Sequence, residues 1–503
     1  MRRAPAIALG IAALSTLLSP LQRELYVGDE TKYSQVVREM RAGSFFLPTL
    51  EGSPFTHKPP LHFWIIDLLT YPFGIDSIWP FVLPSLVAFG LLIWLMWKMG
   101  GPLAAFVCAT SLMVWGSAQT ARMDVSFTAL LVLAAWMLQQ EKLVWAGVAI
   151  GVATVIKGPM APVIMICLFA FEWLRRRRGG QAILPVRFGQ AGLPVLHALA
   201  AMIAIPLLWL IPAVLAGGEA FWREIFFKQT VGRAVGAWVH KSPPWFYVMR
   251  APMTLAPWFF LVVAALVAIY KRNDERAKFA VSWMLAVLVP YSLLSSKLDV
   301  YMMTMIPPAA LVIARFLEVE DGWTRWGKNA NALMLVILAT IGIAGLFVRH
   351  REVPARADVR ALFAILAICA IVALVITIRG RLVASTLATG LVLVVTLAYA
   401  AVALVPLANE MASTRPLVRA LVAQNVPPEE IALYVCPHLW TRGMPQDLSR
   451  ARHVDADELR GIAPPRVIVA RRRNAHEIAD VLRGYRKVDE LQMIGKPFDV
   501  YRK

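Results

Sequence analysis

The chain is predicted to be an all-α polytopic membrane protein with a small α/β domain at its C-terminus. Three observations lead there. Of its 503 residues, 58% are hydrophobic, and mean hydropathy is +0.61, where a soluble domain has about 45–50% apolar residues. Apolar runs of about 16–25 residues recur along most of the chain, long enough to cross about 30 Å of hydrocarbon. After Pro406 the composition shifts to mixed charges.

Lipid offers no partner to a backbone N–H or C=O, so each apolar run is read as a helix that satisfies its own bonds. About thirteen spans are expected, at roughly 4–21, 78–98, 102–118, 124–139, 143–157, 159–174, 191–216, 253–271, 278–295, 302–317, 329–348, 359–379 and 382–406. The first follows Met1-Arg2-Arg3, as a signal peptide would, and a retained helix is favoured. With the N-terminus inside, the cytoplasmic connections carry Lys98, Lys142, Arg175 to Arg178, Lys271-Arg272, Arg276, Lys278, Arg325, Lys328, Arg379 and Arg381. That is the positive-inside pattern. Its main exception is the 349–358 loop, with Arg349, Arg351 and Arg356. An odd number of spans leaves the C-terminus outside.

A formal net charge of +19 fits a chain whose cytoplasmic loops are rich in Lys and Arg. No basic stripe interleaved with aromatic residues lies outside the spans, so nucleic acid is not an expected partner. Cys108, Cys167 and Cys369 fall in apolar runs and Cys436 in the tail. No pair has metal-knuckle or redox spacing, and all four are expected to be inert.

Residues 1–406 are thus expected to form the membrane domain and 407–503 a C-terminal domain. Two extracytoplasmic loops are more than connectors: about 22–77, and about 217–252 with Trp222, Arg233, His240 and Pro243-Pro244-Trp245. In the tail, β-like runs Ile431 to Val435, Val467 to Ala470 and Phe498 to Tyr501 accompany a helical stretch, Ala475 to Gly484. A small α/β domain follows from that mixture.

Chemistry is concentrated in the first loop. Asp29 to Met40 has the period of an amphipathic helix, with Tyr33, Val36, Val37 and Met40 on one side. Such a helix is suited to lie in the membrane interface. Asp29-Glu30 at its start complements the positive end of the helix dipole, which explains both acids without any catalytic role. Pro59-Pro60 suits a helix start and gives Lys58 a rigid position, where a phosphate site or a solvated ammonium are both open readings. Further ionisable groups meet the same face: Arg122 and Asp124, Lys157-Gly158-Pro159, and Ser296-Lys297-Leu298-Asp299-Val300-Tyr301. Charges at membrane depth face a cavity or a partner. Several on one side describe a cationic pocket suited to an anionic, phosphate-bearing lipid.

These residues resemble a family. Asp29-Glu30-Thr31-Lys32-Tyr33, Arg38-Glu39-Met40, Pro48, Gly52 and Lys58-Pro59-Pro60-Leu61 with Trp64 look like the first periplasmic loop of the aminoarabinose-transferase-like, protein O-mannosyltransferase-related membrane glycosyltransferases of the GT-C fold. Arg122-Met123-Asp124, Lys157-Gly158-Pro159, Phe226-Phe227 with Arg233, and Ser296-Lys297 with Tyr301 continue the likeness in order over about 300 residues. The resemblance implies inverting transfer of a sugar from a polyprenyl phosphate at the outer face of a bacterial inner membrane. Lipid A, another envelope glycolipid or a protein would be the acceptor. It implies Asp29 as catalytic base, with Glu30 beside it. Lys32, Lys58, Arg233 and Lys297 would contact the donor phosphate, with Tyr301 a hydroxyl donor. Tyr33, Arg122, Asp124 and Lys157 would line the substrate pocket.

Two positions depart from the family pattern. His57 stands before Lys58 where an acid is common, and Lys32 stands where Arg is common, which removes bidentate phosphate contact. His57 and His240 would offer ligands to a divalent metal if their loops meet. An anionic-lipid flippase is the competing class, but its usual repeated halves with interrupted helices are not found.

Overall fold

Most of the expected apolar segments are helical, several of them interrupted by turns. A computed structural model describes residues 3–178, 192–227, 242–347 and 357–503. Helices Asp124–Gln139 and Leu143–Lys157 have the expected bounds, and Thr324–Phe347, Ala357–Arg379 and Leu382–Ala403 differ from theirs by a few residues. Gly100 and Gly101 leave helical geometry inside Trp79–Ala109, with Gly101 at φ 73°, so two expected spans meet at that kink. Among the described residues, seven helices are long and apolar enough to cross a membrane. The count becomes eight if Phe246–Thr254 and Phe259–Arg272, bent by 112°, form one span. Other expected spans are helices that are shorter, such as Leu143–Lys157, or more charged, such as Met160–Arg178 with its terminal arginines. Few residues of the helix over Leu193–Phe227 are fully buried within the protein, as in a span with one side toward lipid.

The chain divides into two compact units. The larger comprises Met1–Leu18, Thr56–His62 and Pro84–Ala400. Helices Thr324–Phe347 and Ala357–Arg379 approach closely at Gly342, where an added Cβ would lie 2.6 Å from the Ala367 backbone nitrogen. Small residues allow such approach where lipid supplies no hydrophobic drive. Asn331 Nδ2 donates to Ser385 Oγ at 2.9 Å and Thr386 Oγ1 at 3.2 Å, joining Leu382–Ala403 to the pair.

The smaller unit comprises Ser19–Phe55, Phe63–Leu83 and Ala401–Lys503. Its first-loop part holds the helix Asp29–Arg41 and a hairpin of β1 (Thr49–Leu50) and β2 (Ser53–Pro54). The C-terminal part is a five-stranded mixed sheet of β3 (Ile431–Tyr434), β4 (Arg452–Val454), β5 (Val467–Arg471), β6 (Arg486–Met493) and β7 (Lys496–Arg502). Strand order is β4-β3-β5-β7-β6, parallel across β4, β3 and β5 and antiparallel beyond. The three β-like runs are β3, β5 and β7; β4 and β6 were not expected. The stretch Ala475 to Gly484 is instead a 3-10 turn over Arg472–Ile478 followed by a short helix, Ala479–Leu482.

One expectation is corrected here. Tyr33, Val36, Val37 and Met40 do not face lipid: each is at most 3% exposed within the protein. Tyr33 packs edge-on against Phe63, ring centroids 5.2 Å apart. An amphipathic period marks a face that avoids water, and a protein core fills that need as well as lipid does.

Candidate functional site

Most of the described residues singled out from the sequence fall in two groups of side chains, one in each unit. In the smaller unit the first is set by Gly28, at φ 130° and ψ −127°, a conformation that side chains disfavour. It turns the chain into helix Asp29–Arg41, so Asp29 stands exposed at the positive end of the helix dipole. Glu30, the next residue, is buried. Arg23, 2% exposed, donates from Nη1 to Glu30 Oε1 at 3.0 Å and from Nη2 to Oε2 at 2.6 Å. The Tyr26 backbone N–H adds a bond to Oε2 at 2.8 Å. Both oxygens of Glu30 are therefore engaged, and the acid works as the anchor of the loop that presents Asp29. Lys32 is exposed on the first turn of the helix.

At the far end of the same helix, Glu39 organises the hairpin turn. Its carboxylate accepts from Glu51 N at 2.8 Å, Gly52 N at 3.2 Å and Thr49 Oγ1 at 2.7 Å. Glu51, at the turn, faces His438 and His453 of the C-terminal part. Burial lowers the His438 imidazole to about 4, helped by Lys32, and the His453 imidazole to about 3, helped by His438. Both rings are neutral at pH 7.

In the larger unit the centre is Asp124, the first residue of its helix and 4% exposed. Lys157 Nζ donates to Asp124 Oδ1 at 2.5 Å and Arg122 Nε to Oδ2 at 3.2 Å. Lys58 adds to the positive field there. Three cations thus act on one carboxylate, which leaves the cluster net positive. Lys157 Nζ also stands 4.9 Å from the Tyr301 ring centroid and 5.2 Å from that of Phe127. Tyr301 stacks on Tyr291 at 5.1 Å. His62, fully buried one turn past Pro59-Pro60, is lowered to about 4 by burial, against the opposing pull of Asp124.

The sequence-selected residues therefore separate by role. Asp124, Arg122, Lys157 and Tyr301 come together, with Lys58 in their field. Lys297 is buried and donates to the carbonyl oxygens of Ser242, at 3.0 Å, and Leu294, so it staples two loops. His57 is exposed. Arg233 and His240 lie outside the described residues. The expected pairing of His57 with His240 therefore lies outside the described residues, among which one group of three His, Cys, Asp or Glu ligands comes together: Glu51, His438 and His453. Sequence reasoning missed Arg23, His62, Tyr291 and both of those histidines. A basic residue seven positions before Glu30 was the one signal present in the sequence, and its burial was not readable there.

Comparison with known proteins gives the class first. Residues 57–209 match the family described as dolichyl-phosphate-mannose-protein mannosyltransferase. The particular likeness is to the undecaprenyl phosphate-alpha-4-amino-4-deoxy-L-arabinose arabinosyl transferases. The chain is 26% identical over 358 residues to transferase 1 of Pseudomonas fluorescens, covering 66% of this chain and 60% of the relative. It is 28% identical over 372 residues to that of Pseudomonas paraeruginosa, covering 67% and 65%. The matched region thus spans 60% to 65% of the length of these two relatives. By fold, the chain superposes on ArnT from Cupriavidus metallidurans bound to undecaprenyl phosphate, with a TM-score of 0.73 and 18% identity. That match covers 99% of this chain and 96% of the other. The apo form of that protein gives 0.71. The resemblance read from the first loop is borne out: the chain has the GT-C fold and is similar in sequence to the aminoarabinose transferases.

Proposed function

We propose that the protein is an inverting glycosyltransferase that moves a sugar from undecaprenyl phosphate to lipid A or a related envelope glycolipid. The carrying observation is its similarity to the aminoarabinose transferases over about two thirds of the chain. Likeness in fold to a protein crystallised with undecaprenyl phosphate supports the same donor. In this reading the acceptor hydroxyl oxygen bonds to the anomeric carbon as the bond from that carbon to the phosphate oxygen breaks. The acceptor proton passes to Asp29, and the electron pair leaves on the phosphate monoester. Charge developing there is met by cations that family likeness alone assigns, Lys58 and Arg233. Lys32 and Tyr33 lie beside Asp29, while within the larger unit Asp124 holds Lys157 and Arg122. Glu30 and Lys297 hold backbone in place.

Positive-inside loops support a thirteen-span arrangement in the inner membrane, with residues 1–406 as the membrane part. They also support a periplasmic active face and a periplasmic C-terminal domain over 407–503. The test is transfer by purified protein from polyprenyl-phosphate 4-amino-4-deoxyarabinose to lipid A, read as one added aminopentose by mass spectrometry. Asp29→Asn is expected to lower the rate by at least about 100-fold. Full activity in that variant would remove Asp29 as the base, and no transfer by the wild type would remove the lipid A acceptor. Transfer to protein is the second reading, favoured by the description of the matched family. Glycopeptides lost from a deletion strain with unchanged lipid A would establish it instead.

A further inference from the structure

Glu51, His438 and His453 converge within the smaller unit, and none of the three is assigned above to donor or acceptor. The hairpin turn presents Glu51 at φ 57°, in the left-handed region, and Glu39 fixes the turn through three hydrogen bonds. His453 lies on the edge strand β4, in register with Leu433 of β3. His438 follows β3, in a segment held where the Trp440 N–H donates to Thr414 Oγ1 at 2.9 Å. The two imidazole rings are 4.5 Å apart. His453 Nδ1 and His438 Nε2 lie 3.3 and 3.7 Å from Glu51 Oε1. One ligand atom from each of the three residues falls within 4.8 Å of the others.

These are the separations a small ion needs. Tetrahedral zinc with bonds of about 2.0–2.1 Å sets its ligands roughly 3.3 Å apart, close to the 3.3 and 3.7 Å that separate the two imidazole nitrogens from Glu51 Oε1. His438 is 7% exposed, and its Nδ1 is buried with no hydrogen-bond partner among the described residues. Two imidazoles with one carboxylate select a borderline transition ion over magnesium or calcium, which prefer all-oxygen sites.

We infer that Glu51, His438 and His453 bind one divalent ion of the zinc type, with water completing its coordination. The ion ties the first-loop hairpin to the C-terminal sheet. Through Glu39 it also braces the helix that begins at Asp29. Binding itself rests on no part of the transferase reading.

The test uses the full-length protein in detergent, stripped with a chelator and reloaded with Zn2+. One equivalent per chain by elemental analysis is expected, with imidazole nitrogen in the X-ray absorption spectrum and a higher melting temperature than the stripped form. Glu51→Gln and His453→Ala are expected to weaken zinc binding by at least about 10-fold and to abolish the zinc-dependent rise in melting temperature. Glu51 is exposed, so Glu51→Gln should melt with the stripped wild type, which separates lost binding from lost folding. Absence of stoichiometric zinc, uptake unchanged in both variants, or uptake lost in His57→Ala instead would each overturn the site. Sugar transfer is not a readout here, so failure of the transferase reading would leave this result standing.

Discussion

Asp29 and Glu30 are adjacent in sequence and opposite in environment. One is exposed at the helix start, and the other is buried against Arg23 with every oxygen bonded. Glu30→Gln would leave the Arg23 guanidinium, 2% exposed, without its counter-charge. Breaking a buried pair in this way costs about 3–5 kcal/mol. Thermal unfolding in detergent should therefore show a large fall for Glu30→Gln and none for Asp29→Asn, while transfer falls in the second. Equal melting temperatures with equal loss of transfer would return Glu30 to the chemistry. Sequence alone read the two as a pair because capping and catalysis ask for the same residue type at the same place. What separated them is Arg23, whose burial no local pattern reveals.

Elements were legible in proportion to how strongly their surroundings constrain them. Helices in lipid must close their own hydrogen bonds, so apolar length sufficed to find them. Strand β6, Arg486–Met493, is mostly exposed and rich in charge, and it forms because β7 beside it supplies the ladder. No alternation marks such an edge strand. Helix contacts are equally hidden from sequence, as Gly342 shows. A leucine there would drive Cβ against the Ala367 nitrogen at 2.6 Å and the Phe363 oxygen at 2.8 Å, backbone atoms with little freedom to move. Gly342→Leu is expected to cost about 1–3 kcal/mol through overpacking. Gly116→Ala, with nothing within 4 Å of its added Cβ, should be neutral or slightly stabilising. Melting temperatures of the two variants decide the matter, and a tolerated Gly342→Leu would mean that the two helices separate freely.

On the scale of the whole molecule, the first loop and the tail form one compact unit although they lie about 400 residues apart in sequence. An antiparallel bridge pairs Tyr26 with Ser413, and Val27 N donates to Ala412 O at 2.8 Å. Glu24, 1% exposed, accepts from Arg415 Nε at 2.9 Å and from Thr441 Oγ1 at 2.5 Å. Arg415→Ala strips that buried carboxylate of its cation and is expected to cost about 3 kcal/mol. Limited proteolysis should then cut residues 19–55 and 401–503 faster than in the wild type. An unchanged digestion pattern would show that the two segments hold together without this pair.

The sequence by itself determined that the chain is a helical membrane protein, where its apolar segments run, and which family its first loop resembles. Each is set by composition, period or short-range order, which a linear string displays. Only the tertiary structure decided that the amphipathic helix covers protein, that Glu30 is an anchor, and that Lys297 binds carbonyl oxygens. It alone brought Glu51 to His438 and His453 across almost 400 residues of chain. Burial and long-range pairing assign those roles, and both exist only once the chain has closed on itself.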